Sequence, residues 1–326
     1  MVKEKSDNII DRSISRAATI IKNGGTVAFP TETVFGLGAN ALNPDAVIKI
    51  FEAKERPFFD PLIVHIASYD QIHDLVKNIP EKAIKLAKEF CPGALTLVLP
   101  KKDIVPDIIT SGLNSVAIRI PNHPTALKLL KEANCPIAAP SANKFGMISP
   151  TTAKHVYSQL RNDIDMILDS EISCDIGIES TIISFMNEQP ELLRPGGIAV
   201  EEIEKCIGKI LIPAKGETAK SVAPGMLEQH YSPRTEMILD KNYIPNKNLK
   251  IGKIYFEGNH KNADYAEIRI LSESGSLAEA ATNLYSTMRE LDELDLDLII
   301  TELVPAESLG LGINDRLTRA TAKKGV

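Results

Sequence analysis

The sequence predicts an α/β protein of two domains, and three observations carry that prediction. Short runs rich in β-branched residues alternate with stretches of helical spacing from near the N-terminus to about Ile212. There the alternation stops: PAKGETAKSVAPGMLEQHYSPRTE, residues 213–236, holds three prolines, two glycines and little apolar periodicity. It resumes near Ile251. A chain of 326 residues is longer than one ordinary domain needs. The expected division is a first domain over 1–212, a linker over 213–236 and a smaller α/β domain over 237–326.

The elements follow in order. Arg12 to Lys22 places Ile14, Ala17, Ala18 and Ile21 on one helical face, and Gly24-Gly25 stop it. Thr26 to Phe29 reads as a strand ending at Pro30. Asp45 to Phe51 has helical spacing, with Ala46, Ile50 and Phe51 inward. Leu62-Ile63-Val64-His65-Ile66 is too short and too β-branched for a helix, so it reads as a buried strand. A helix over Glu81–Phe90 and strands over Leu95–Leu99 and Ser115–Ile120 come next. Pro124 suits the first turn of a helix begun by Asn122-His123. Strands over Ile137–Ala139, Met166–Leu168 and Ser180–Phe185 complete a mixed sheet. In the second unit Gly252–Phe256 and Leu298–Thr301 read as strands and Leu277–Leu291 as a helix.

Composition narrows the function classes. The apolar fraction of 44% and charged fraction of 25% fit a globular chain that buries a core without disulfides or metals. Cys91, Cys135, Cys174 and Cys206 form no CxxC pair, which argues against a zinc ribbon or redox motif and reads as packed thiols. A net charge of -6 argues against a broad nucleic-acid-coating surface. MVKEKSDNII lacks the apolar core of a signal peptide and no run is long enough to span a bilayer, so a cytoplasmic protein is expected.

Chemistry gathers where strands end, the usual place for ligands in open α/β sheets. After the first strand comes Pro30-Thr31-Glu32-Thr33-Val34-Phe35-Gly36-Leu37. Lys54-Glu55-Arg56-Pro57 and Asp60-Pro61 precede the strand carrying His65, and Arg119 lies late in its strand. Pro140-Ser141-Ala142-Asn143, Ser149-Pro150, Glu179-Ser180-Thr181 and Arg194-Pro195-Gly196 follow. Four cations, Lys54, Arg56, Arg119 and Arg194, converging on one cleft would repel one another without an anionic ligand. A triphosphate fits, gripped by arginine through paired hydrogen bonds. No glycine run ends in Gly-Lys-Ser or Gly-Lys-Thr, so a nucleotide would need a design other than the P-loop. Each residue also has a plainer reading. Lys-x-Arg is commonly a solvated helix end, His65 reads equally as a core histidine, and Ser-Ala-Asn is commonly a turn.

The motifs P-T-E-T-V-F-G-L, K-E-R-P-F-F-D-P-L-I-V-H, P-G-A-L-T-L-V, V-A-I-R-I-P, A-P-S-A-N and E-S-T-I-I, in that order, resemble the YrdC/Sua5 family of threonylcarbamoyl-AMP synthases. The likeness covers roughly residues 12 to 210. A-P-G-M-L-E-Q-H-Y-S-P and G-L-G-I-N-D-R-L extend it to the longer Sua5 branch, with its linker and C-terminal domain. The resemblance implies a YrdC-like twisted mixed sheet with a large concave cavity, followed by a smaller Rossmann-like Sua5 domain. It implies synthesis of threonylcarbamoyl-AMP and pyrophosphate from L-threonine, bicarbonate and ATP, for tRNA t6A modification. Lys54, Arg56, Ser141 and Asn143 match the catalytic K-x-R and S-x-N signature. Thr33, His65, Arg119, the backbone of Ala139, and Ser180 match threonine contacts. Arg56, Asp60, Ser115, Ser141, Ser149, Arg194 and Tyr231 match nucleotide contacts. Many relatives have Asn or Ser where Asp60 stands, and an aspartate beside phosphates is repulsive. Mg2+ is expected to arrive with ATP, held by phosphate oxygens and water. A tRNA threonylcarbamoyl transferase complex is the expected downstream partner, with a weak contact to tRNA. The linker, through Tyr231, is expected to act as a lid. Two alternatives share the fold: a YrdC-type carbamoyltransferase, whose hydrogenase-maturation form carries paired-cysteine zinc fingers not found here, and a non-catalytic RNA-binding module.

Overall fold

The alternation read from the sequence becomes two sheets in the computed structural model, which describes residues 9–213, 230–258 and 264–322. In the first domain β1 (Ile10–Asp11), α1 (Ile14–Lys22), β2 (Val27–Phe29), β3 (Gly36–Asn40), α2 (Pro44–Lys54) and β4 (Ile63–His65) lead to the short α3 (Ile72–Leu75). Then come α4 (Glu81–Phe90), β5 (Leu95–Pro100), α5 (Asp107–Thr110), β6 (Ser115–Arg119), α6 (Pro124–Ala133) and β7 (Ile137–Ala138). The domain ends with α7 (Ala153–Leu160), β8 (Met166–Leu168), β9 (Thr181–Ser184), β10 (Glu191–Arg194) and α8 (Val200–Ile207). Helix starts are set by short polar side chains: Ser13, Asn43 and Thr152 each accept a backbone N–H of the first turn.

The strands form one ten-stranded sheet in the order β1-β8-β2-β3-β7-β4-β6-β5-β9-β10. It is mixed: β4 runs parallel to β6 and β5 to β9, while β3, β7 and β10 pair antiparallel with their neighbours. In the middle strands the faces alternate. Val64, Leu97, Ile118 and Ile183 enter the large core beneath α2, α4 and α8. Ile63, Val98, Ala117 and Ile182 make a small cluster on the opposite face. That second face carries the polar residues described below, because His65 pairs in register with Arg119, and Arg119 with Thr96.

The second domain has β11 (Met237–Leu239), β12 (Ile251–Tyr255), β13 (Glu267–Ile270), α9 (Leu277–Asp292), β14 (Leu298–Thr301) and α10 (Gly310–Ala320). Its sheet, in the order β11-β14-β12-β13, is parallel throughout. Its core is not wholly its own: Ala281, Leu284, Tyr285, Met288 and Ile313 pack with Val34, Ile148 and Ile178 of the first domain.

Several elements were not read from the sequence, β3, β11, β13 and α10 among them. The sequence reading gives no strand in or after Pro30–Leu37, yet Gly36–Asn40 is a strand. Gly36 and Gly38 conceal it, since glycine weakens strand patterning. At Gly38 a Cβ would lie 2.7 Å from Phe29 and Ile137, so the absent side chain is what lets these groups close. Strands β11 and β13 were not read, although β11 has the same Met-Ile-Leu as β8, and α10 begins Gly-Leu-Gly, a poor helical signal. The expected linker lies largely at 214–229, outside the described residues.

Candidate active site

A cavity lies on the sheet face that carries Ile63 and His65 of β4 and Arg119 of β6. Its wall includes Arg56, His65, Arg119, Ala139, Ser141, Ser180, Arg194, His230 and Tyr231. Eight of the sequence-predicted site residues, all of these but His230, therefore meet in one place. With His230 and Tyr231 in the wall, about 40 Å³ of free space remains, room for a few water molecules. Residues 214–229 of the expected lid lie outside the described residues, but its end at His230 and Tyr231 is fully inside the protein. Tyr231 holds φ at 64°, a left-handed conformation costly for a bulky residue and common at ligand sites.

Lys54 and Asn143 are not in the cavity wall. The buried Lys54 ammonium donates to the Ser141 carbonyl at 2.6 Å and to the Asn143 carbonyl. Asn143 Nδ2 donates to the carbonyls of Lys144 and Met147, both at 2.8 Å. The K-x-R helix end and the S-x-N turn are thus fastened together from behind, which places Arg56 and Ser141 on adjoining parts of the wall. Burial, and then the neighbouring Arg56 charge, hold the Lys54 pKa well below the ordinary lysine value. Thr33, Asp60, Ser115 and Ser149 also stand off the wall. Thr33 shares a 2.8 Å hydroxyl contact with Thr31, and Ser115 sits half-buried at the start of β6. Ser149 Oγ donates to Glu179 at 2.6 Å.

Asp60 has a partner the sequence did not show. Its carboxylate meets Arg56 Nη2 at 2.8 Å, with both side chains buried, and Arg56 also donates to the carbonyls of Asp60 and Pro61. Arg119 likewise meets Glu32 at 2.8 Å and donates to the Gly93 carbonyl at 3.3 Å. Arg194 donates twice to the Ser180 carbonyl and once to its hydroxyl. The expectation of four uncompensated cations needs correcting, because carboxylates come in with them. Five buried cations (Lys54, Arg56, Arg119, Arg194, Arg316) face three buried carboxylates (Glu32, Asp60, Glu179). With the partly exposed Asp315, which meets Arg316 Nη1 at 3.1 Å, counted as well, the balance is still positive, which suits an anionic ligand.

Glu179 lies at the centre of this balance. Burial alone would raise its pKa, but the charges of Arg316 and Arg194 and the Ser149 hydroxyl outweigh it and bring it to about 2. The two buried histidines are lowered as well, which for them favours the neutral form. Burial, and then Arg119, lower His65 to about 3, and burial, and then Arg56, lower His230 to about 3. Both are neutral rings at physiological pH, able to donate at one nitrogen and accept at the other. His65 Nδ1 and His230 Nδ1 have no hydrogen-bond partner.

Glu32, Glu179, Tyr285 and Arg316 were not assigned from the sequence. Glu32 and Glu179 did sit inside quoted motifs, where the signal was an acid beside hydroxyls at a strand end. Arg316 sat in G-L-G-I-N-D-R-L. Tyr285 gave no signal, being one more large residue on the buried face of α9. Among the described residues no group of three His, Cys, Asp or Glu is placed to hold a metal ion, and no helix is long and apolar enough to cross a membrane.

Comparison with known proteins accounts for this arrangement. A family model covering Sua5, YciO and YrdC, described as "Telomere recombination", matches residues 19–196. A second, described as the threonylcarbamoyl-AMP synthase C-terminal domain, matches residues 198–322. The chain belongs to the Sua5/YciO/YrdC family. Among Sua5-type relatives, a Pyrococcus abyssi protein named threonylcarbamoyl-AMP synthase is 45% identical over 97% of this chain and 96% of its own length. A Bacillus subtilis protein of the same name is 43% identical over 95% of this chain and 93% of its own. The crystal structure of P. abyssi Sua5 complexed with L-threonine matches with a TM-score of 0.88 at 43% identity, over 96% of both chains.

Proposed function

We propose that this Sua5-family chain is an L-threonylcarbamoyladenylate synthase. One observation carries the reading most directly: Lys54 ties the K-x-R helix end to the S-x-N turn, and Arg56 and Ser141 line the same cavity as Arg119, Ser180 and Arg194. The threonine-bound P. abyssi relative supports the choice of amino acid.

An N–C bond and an O–P bond are made, and an amine N–H, a C–O of bicarbonate and the bond from the α-phosphorus to its bridging oxygen are broken. Bicarbonate gives up hydroxide to become carbon dioxide, the threonine amine attacks its carbon, and the amine proton leaves with the hydroxide as water to give a carbamate. A carbamate oxygen then attacks the α-phosphorus of ATP as the bond to the β-phosphate oxygen breaks and pyrophosphate leaves. Nucleophile and electrophile are both anionic, so the site's task is to neutralise charge and align the partners. No nucleophilic side chain or triad is required. Arg119, braced by Glu32, takes the threonine carboxylate. Neutral His65 lies beside it to meet the hydroxyl and pack against the methyl. Arg56 and Arg194 take the phosphates, and the Ser141 and Ser180 hydroxyls add neutral donors. The three carboxylates near the cavity are engaged with arginine, so magnesium enters as part of the ATP substrate, held by phosphate oxygens and water. The product is a labile adenylate, which fits consumption in the cytoplasm by a tRNA-threonylcarbamoylating enzyme.

The test is pyrophosphate release from ATP by the purified chain, with threonine and bicarbonate omitted in turn, and mass analysis of the product. Release that needs both, with a threonylcarbamoyl-adenylate mass, is the expected result. Release without threonine would overturn the assignment, and a carbamoyl-adenylate consumed rather than formed would indicate a carbamoyltransferase.

A further inference from the structure

The motif G-L-G-I-N-D-R-L, at 310–317, has no part in the reaction just described, yet it reaches the cavity from the other domain. Arg316, fully buried on α10, donates through Nε to Glu179 Oε2 at 2.9 Å and through Nη1 to the Pro195 carbonyl at 2.5 Å. Glu179 is the neighbour of Ser180, and Pro195 the neighbour of Arg194. One guanidinium therefore holds the chain beside two residues of the cavity wall. Its central carbon also sits 5.4 Å from the centroid of the Tyr231 ring, a third wall residue.

The surroundings fix this grip. Tyr285 on α9 donates its hydroxyl to Glu179 at 2.9 Å, and Ser149 does so from the first domain at 2.6 Å. Gly312, one turn before Arg316, packs on the Arg194-Pro195-Gly196 turn: a Cβ there would lie 3.2 Å from Gly196 Cα and 2.9 Å from Ile178 Cδ1. Asn314 bonds both the N–H and the carbonyl of Val304, and Asp315 pairs with Arg319 at 2.9 Å and with Arg316 Nη1 at 3.1 Å. The motif thus reads residue by residue as a means of presenting one arginine at one point.

We propose that Arg316 is a positioning residue for the active site of the first domain, holding Ser180, Arg194 and Tyr231 in their working places through Glu179, the Pro195 carbonyl and its own stacked face. This rests on the synthase reading above and adds to it that the second domain is part of the catalytic apparatus. The competing role is plain interdomain adhesion. The two differ because the interface holds other bonds that do not lead to the cavity, such as Thr282 Oγ1 donating to the Asp175 carbonyl at 2.6 Å.

The full-length chain is compared with Arg316→Lys and Thr282→Ala by thermal melting, by pyrophosphate release with ATP and threonine varied separately, and by calorimetric titration of ATP. Lysine keeps the charge, but a single ammonium cannot bond Glu179 and Pro195 in the planar fork of arginine. Arg316→Lys should therefore keep its melting point within a few degrees and lose about tenfold in kcat/KM for ATP, with about fivefold weaker ATP binding. Thr282→Ala should leave both at wild-type values. Wild-type kinetics and ATP affinity in Arg316→Lys would overturn the proposal. So would losses in the two variants that simply follow their melting points. If the wild-type chain releases no pyrophosphate, the synthase reading fails separately, and unchanged ATP affinity in Arg316→Lys still decides against positioning.

Discussion

Arg119 and Glu32 set the first prediction, because each is buried and each is the other's counter-ion. Arg119→Ala should weaken threonine binding by about 2–5 kcal/mol, the usual cost of stranding one member of a buried charged pair. It also leaves Glu32 unpaired, so stability should fall as well. Arg119→Ala/Glu32→Gln separates these effects: the melting point should largely recover while threonine affinity, read by calorimetry, does not. Recovered affinity would remove Arg119 from the threonine site. Lys54 gives a second case. Its ammonium never reaches the cavity, but Lys54→Met deletes two charge-assisted bonds to the S-x-N turn. Such bonds are worth about 1.5–3 kcal/mol each, so a fall of tenfold or more in kcat/KM for ATP is expected. Wild-type kinetics in that variant would show that the turn holds itself.

Between residues and the molecule stand the elements, and β3 is the telling one. Gly38→Ala places a Cβ 2.7 Å from the ring of Phe29 and from Ile137. Overpacking of this kind costs about 1–3 kcal/mol. The variant should melt several degrees lower, and an unchanged melting point would mean the neighbours yield freely. The same strand shows where sequence reading stops. Helices with a strong apolar stripe and strands such as Leu95–Leu99 or Met166–Leu168 were legible because burial imposes a period on composition. Gly36–Asn40 was not, because its fit depends on side chains being absent. The site divides similarly. Arg56, His65, Arg119, Ser141 and Ser180 were legible as polar residues at strand ends. Their counter-ions were not, since pairing Asp60 with Arg56 or Glu32 with Arg119 is a fact of three-dimensional placement. Arg316 lies 137 residues from Glu179, beyond any local pattern.

At the scale of the molecule, buried titratable groups make stability depend on pH. His65 and His230 have folded pKa values of about 3, below the ordinary histidine value of 6.5. Unfolding below pH 6.5 therefore takes up a proton at each ring, and the stability they permit is lost as pH falls from 6.5 toward 3. Near pH 5 each contributes a slope of about 1.4 kcal/mol per pH unit. Glu179 acts lower, its stabilisation being lost as pH falls from 4.5 toward about 2. Melting points measured from pH 7 to pH 4 should drop steeply, and His65→Gln/His230→Gln should flatten that fall. A double variant with the wild-type slope would show that neither ring is held neutral.

The bonds converging on Glu179 also set an order of events during synthesis. The ribosome releases Glu179 and Ser149 long before Arg316, which follows 137 residues later. At about 5–20 residues per second this interval lasts roughly ten seconds. Through it the nascent first domain carries a carboxylate meant for the interior with the Ser149 hydroxyl and the Arg194 charge, but not Tyr285 or Arg316, to receive it. The sheet can assemble, but the chain beside Ser180 and Arg194 gains its bonds from Arg316 only when α10 arrives. A polypeptide cut short by stalling or by a premature stop codon would lack that helix, so unfinished chains should not release a reactive adenylate into the cell.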